Sequence, residues 1–161
     1  MRGEGLENSK CLICDIDKEN LNTQSKYDKI IAFKSLNGYD YRSKIPLCAK
    51  SDIAINPIGT GSLLLVFICK VPFVGFDAPR ILNFYYNFRK SKHRVAYEKF
   101  VCLNDDNSSI YFACYHIPPQ HIYNLAAEVL EELSKEGKLK IKNLKMHRLF
   151  VPDVELVKRQ V

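Results

Sequence analysis

Cys11 and Cys14 are the residues of this chain whose type and spacing most directly suggest chemistry. Two thiolates three positions apart can chelate one tetrahedral Zn²⁺ at about 2.3 Å and leave two places for a more distant pair. The same residues fit two other descriptions. They could be ordinary thiols near a chain end, or a redox Cys-x-x-Cys, although the latter normally opens a helix after a strand and nothing precedes this one. The other cysteines, Cys48, Cys69, Cys102 and Cys114, are unevenly spaced and do not read as a secreted disulfide framework. The opening stretch MRGEGLENSK is polar and carries no apolar segment of signal-peptide length. The expectation is an intracellular, cytoplasmic protein with free thiols.

A second group of side chains could do electrostatic work. Arg89, Lys90, Lys92, His93 and Arg94 follow Phe84, Tyr85 and Tyr86. Cations neutralise phosphates and exposed aromatics stack on bases, so Tyr85, Tyr86, Arg89, Lys90, Lys92 and Arg94 are candidate nucleic-acid contacts. The plainer account makes the aromatics core and the cations partners of a helix C-terminus, where the dipole favours them whatever the function. Lysines also alternate with apolar residues from Lys138 to Lys145, as on an edge strand with one wet face. The formal charge of +6 permits an acidic partner, nucleic acid or an anionic membrane surface.

Other chemistries are missing. Gly59-Thr60-Gly61 lacks the later glycine and the lysine of a phosphate-binding loop. Neither a His-Glu-x-x-His helix motif nor a nucleophile elbow is present. His116 and His121 flank a hairpin-to-helix turn and are the one histidine pair placed for a shared site; surface and interface roles compete with that. Enzyme is the weaker class.

These residues need elements to position them, and 161 residues suffice for one domain with a real core. Gly61 to Phe76 is the most apolar run. As a membrane span, ten apolar residues contribute together about −4.5 kcal/mol, which Lys70 offsets by about 2.5 to 3.5. Asp77 ends the run before the roughly 20 residues a span requires. As a soluble element, Leu63 to Cys69 predicts a buried strand covered on both faces, closed by Lys70 and Pro72. Asp77-Ala78-Pro79 predicts a helix start, with the helix running to about Lys90. Val95 to Leu103 and Ser109 to His116 predict an antiparallel hairpin. Ile122, Leu125, Ala126, Val129, Leu130 and Leu133 predict a helix from about Gln120 to Lys135, stopped by Gly137, with a solvated face of Glu128, Glu131, Glu132 and Lys135.

Near the N-terminus, Lys29 to Leu36 and Tyr39 to Ile45 predict strands joined at Asn37-Gly38 by a type I′ turn. A Cys-x-x-Cys knuckle, a hairpin and a returning Ile45-Pro46-Leu47-Cys48 resembles the first part of a treble-clef or zinc-ribbon finger over about the first fifty residues. That resemblance implies two further ligands after the hairpin. Cys48 supplies one, the usual partner three residues on is Ser51, and Asp52 is the nearest carboxylate; otherwise His93, His116, His121 or His147 would have to fold back.

The expected architecture is therefore α+β: a mainly antiparallel sheet with one or two packed helices, and a zinc-knuckle-like hairpin at the N-terminus. Residues 1–56 form the knuckle and hairpin appendage, and 57–161 the core domain. The expected function is a non-enzymatic intracellular binding protein, zinc-stabilised through Cys11, Cys14, Cys48 and Asp52 if metal is present, engaging nucleic acid through basic surfaces near 89–94 and 138–148. The alternatives are a small membrane-associated protein anchored by 61–76, and an enzyme using His116 or His121.

Overall fold

Asp40 decides the structure of the segment after it. Its carboxylate accepts the Arg42 and Ser43 N–H groups at 2.9 and 3.1 Å and the Ser43 hydroxyl, satisfying donors that a helix start leaves orphaned. In the computed structural model, which describes residues 11–13, 33–77, 92–103 and 115–154, the result is helix α1, Tyr41–Cys48. The expected return strand Tyr39 to Ile45 is therefore not formed. Strand β1, Cys11–Ile13, pairs instead in parallel with β2, Phe33–Ser35, from Cys11 opposite Phe33 to Ile13 opposite Ser35. The turn between β2 and α1 is closed by the Tyr39 N–H on the Leu36 carbonyl at 3.2 Å. Only Gly38 of its central pair has positive φ, +79°, which fits a type II turn rather than type I′.

The chain divides into two units, Met1–Ser51 and Asp52–Val161. In the second, the largest sheet among the described residues is parallel, not antiparallel as expected. Its order is β3 (Ala54–Pro57), β4 (Phe73–Phe76), β5 (Arg94–Val95). Ala54 lies opposite Phe73 and Pro57 opposite Phe76, while Val74 and Gly75 face Arg94 and Val95. Parallel neighbours cannot be joined by a tight turn and need a crossover of a dozen or more residues, usually helical. The apolar run supplies that crossover. Thr60–Leu63 forms α2, and Leu64–Ile68 continues it as a π-helical stretch in which the Cys69 N–H reaches the Leu64 carbonyl at 2.9 Å.

The Leu63–Cys69 strand is thus corrected to a helix. The Ser62 hydroxyl starts it, accepting the Gly59 N–H at 3.2 Å and donating to the Gly59 carbonyl at 2.6 Å. Lys70, with φ +55°, ends it. Leu64 and Val66 face the core, and Leu63, Phe67 and Ile68 are exposed. The strand covered on both faces is the later part of the run, β4, where Phe73 and Val74 are fully buried.

The rest of this unit packs on that strand. A 3₁₀ turn, Glu98–Phe100, leads to β6, Cys102–Leu103, which pairs antiparallel with β7, Tyr115–His116. The expected antiparallel pairing is present there, but Val95 belongs to the parallel sheet. Helix α3, Pro119–Lys135, buries Leu125, Val129 and Leu133 in the same core as Phe73, Val74 and Val95. Its end carries the Lys138 N–H on the Leu133 carbonyl (2.9 Å), the Gly137 N–H on the Ser134 carbonyl (3.1 Å) and Gly137 at φ +71°. This is the Schellman arrangement that a glycine there predicts.

The predicted helix over 77–90, apart from Asp77, lies outside the described residues. Lys138 to Lys145 is not an edge strand. It is a series of bends running into irregular chain, and its Ile141 carbonyl and Leu144 N–H pair with the Ser134 hydroxyl of α3 rather than with a strand.

Candidate nucleic-acid interface

Three polar residues of α3, Asn124, Glu131 and Ser134, hold the segment that follows the helix. The Ser134 hydroxyl donates to the Ile141 carbonyl at 2.7 Å and accepts the Leu144 N–H at 2.9 Å. One Glu131 oxygen accepts the Met146 N–H at 2.7 Å, and both accept from the Arg148 guanidinium, at 3.1 and 2.8 Å. Asn124 accepts the Leu149 N–H and donates to the Leu149 carbonyl, both at 2.8 Å. Residues 141–149 therefore retrace the helix towards its start as a strap whose main chain is clamped at several points.

The charges sort into engaged and displayed. Lys92 pairs with Glu136. Arg94 bridges Glu128 at 3.3 Å and Glu132 at 2.8 Å, tying β5 to α3. Lys138 also meets Glu136, at 2.9 Å. The Arg148 guanidinium, aided by the Met146 N–H, holds the Glu131 carboxyl below its ordinary range, and Lys92 with Lys138 does the same for Glu136. On the expected solvated face of α3, Lys135 is exposed, while Glu128, Glu131 and Glu132 are partly exposed and also serve as intramolecular partners. By contrast Lys140, Lys142 and Lys145 are exposed and take part in no ion pair among the described residues. His147 is exposed beside them.

Of the nucleic-acid contacts expected near 89–94, Tyr85, Tyr86, Arg89 and Lys90 lie outside the described residues. Lys92 and Arg94 are described, and both are spent on α3 carboxylates. Of the expected zinc donors, Cys11 lies in β1, Cys14 lies outside the described residues, Cys48 is buried in α1, and Asp52 is exposed. Among the described residues no group of three or more His, Cys, Asp or Glu could hold a metal ion.

The histidine pair does not form a common open site. His116 is exposed on β7, whereas His121 is buried, its ring centroid 5.1 Å from Tyr97 and 4.5 Å from Phe100. His121 Nε2 accepts the Tyr97 N–H at 2.9 Å, so the ring serves as a fixed acceptor for the backbone. Burial first, and the nearby Lys99 second, lower its pKa to about 4. His93 is also pushed down, by burial and then by Arg94, and its ring meets Phe73 edge-on at 6.3 Å.

No helix among the described residues is long and apolar enough to cross a membrane. Comparison with known proteins brings no match to a family model, to a curated protein or to a solved structure, so the residues themselves carry the functional argument.

The clamps were the part that sequence reasoning missed. A signal exists in hindsight: Asn124, Glu131 and Ser134 stand seven and three residues apart, which places polar groups along one side of a helix whose neighbouring stripe is apolar.

Proposed function

We propose that this is a non-enzymatic binding protein that engages nucleic acid through the strap at 138–148. The observation that carries the reading is the trio Lys140, Lys142 and Lys145, exposed and outside every ion pair among the described residues, on a backbone held by α3. The stretch from Lys138 to Arg148 contains no acidic residue. Glu131, the glutamate that clamps the strap, is paired with Arg148, and the other glutamates along α3 and at its end, Glu128, Glu132 and Glu136, are engaged by Arg94, Lys92 and Lys138. A phosphate chain approaching the strap therefore meets unopposed positive charge on a frame that does not have to be ordered first, which favours association.

The test is the salt dependence of binding to a fluorescent oligonucleotide. Each phosphate neutralised on a single strand contributes about 0.7 to the slope of log K against log salt, so K140A/K142A/K145A should lower that slope by about 2. An unchanged affinity and slope in this variant would remove the strap from the reading.

A further inference from the structure

We infer that the strap takes single-stranded rather than duplex nucleic acid, with a base stacked on the ring of Phe150. This rests on the nucleic-acid reading of the lysines and adds a second, apolar contact to it. Phe150 is 86% exposed, well beyond any other large apolar side chain among the described residues. Its position is nevertheless built. Leu149 before it is held at both backbone groups by Asn124, Arg148 is fixed on Glu131, and Pro152 restricts the chain just after. Tyr123, next to Asn124 on α3, is a second exposed aromatic.

The chemistry of the ring selects the ligand. Phenylalanine has no donor or acceptor with which to read base edges, so its contribution to a nucleic acid is a face on which a base can stack. A duplex hides those faces within its own stack, whereas a single strand can splay them outward. The cations lie on the same side of the ring in sequence: His147 and Arg148 adjoin it, and Lys145, Lys142 and Lys140 follow back along the strap. The clamps at Asn124 and Ser134 are ten helical residues apart, roughly 15 Å along α3 at 1.5 Å per residue. One strand could thus lay phosphates along the lysines while a base reaches Phe150. A protein partner burying the ring would also have to face the lysine trio along the strap, which lies outside the ion pairs of the described residues, and an apolar partner offers it no charge to match.

The experiment compares a single-stranded oligonucleotide of about 12 nucleotides with a duplex of the same length. Phe150→Ala should weaken single-strand binding about tenfold or more, the usual loss for a stacked base, with the salt slope and duplex binding unchanged. The chain contains no tryptophan, so Phe150→Trp introduces one indole at the site. Its emission should be quenched on saturation with the single strand, at undiminished affinity.

Wild-type single-strand affinity in Phe150→Ala, an equal loss for duplex, or an indole indifferent to saturating oligonucleotide overturns the stacking site while leaving the lysine reading intact. So does a concentration-dependent oligomer in the wild type that Phe150→Ala dissolves. If the unaltered protein binds neither form, both readings fall together. Because the ring is exposed, neither substitution should disturb folding, and an unchanged thermal transition checks this.

Discussion

The side-chain amide of Asn124 holds Leu149 from both sides, accepting its N–H and donating to its carbonyl at 2.8 Å each, across 25 residues of sequence. The pair closes the far end of the strap. Asn124→Ala should cost about 1 to 2 kcal/mol, the usual scale for two hydrogen bonds lost at a partly exposed site. Amide exchange at Leu149 should accelerate with little change at Leu144, and uniform acceleration would show that the strap does not open in parts.

At the near end, Ser134 is buried and its hydroxyl is fully used, donating to Ile141 and accepting from Leu144. Ser134→Ala leaves the part-buried Ile141 carbonyl and Leu144 N–H without that partner, a loss of about 1 to 2 kcal/mol for the two hydrogen bonds. The same change should weaken oligonucleotide binding modestly, since the lysines remain but their frame loosens. Equilibrium denaturation and binding titration measure the two effects separately.

Lys92 and Arg94 serve the fold in this account. Arg94→Ala breaks two half-exposed ion pairs between β5 and α3 and should lower stability by about 1 kcal/mol. Affinity for a single-stranded oligonucleotide should stay within about twofold of wild type, against the loss predicted for the lysine trio. A binding loss in Arg94→Ala as large as in the lysine variant would restore the 89–94 region as the contact.

His121 sets a pH dependence whose sign is fixed by its environment. Its folded pKa, about 4, lies below the ordinary 6.5, so between those values the unfolded chain binds a proton that the folded chain does not. Stability therefore falls as pH drops through that window, by on the order of 1 kcal/mol or more. Protonation would also replace the acceptor facing the Tyr97 N–H with a donor. Thermal melts at pH 7 and pH 5 should separate for the wild type and draw together for His121→Phe.

Much of this was readable from local pattern, and what was not has a common cause. The unbroken apolar spacing from Ile122 to Leu133 defined α3, and Gly137 marked its end, because both signals are contained within the helix. The run Leu63 to Cys69 has no period, so a buried strand and a buried helix look alike in it. The choice was made by the parallel pairing of β3 with β4, a relationship between distant segments. The alternation of lysine with apolar residues from Lys138 likewise imitates an edge strand, but the partner of that backbone is a set of helix side chains. Lys92 and Arg94 read as available cations because their carboxylates lie 34 to 44 residues away. At Asp40 the cap signal was local, and Asn37-Gly38 beside it suggested a hairpin.

The clamps on residues 141–149 grasp amide and carbonyl atoms, which every amino acid other than proline provides alike. Apart from Arg148, the course of that stretch is written in Asn124, Glu131 and Ser134 rather than in its own letters. Substitutions at Lys142 or Lys145 can therefore rewrite what is offered to a ligand without redirecting the polypeptide. In descendants of this gene, specificity could drift quickly along the tract while the three anchoring positions stay put.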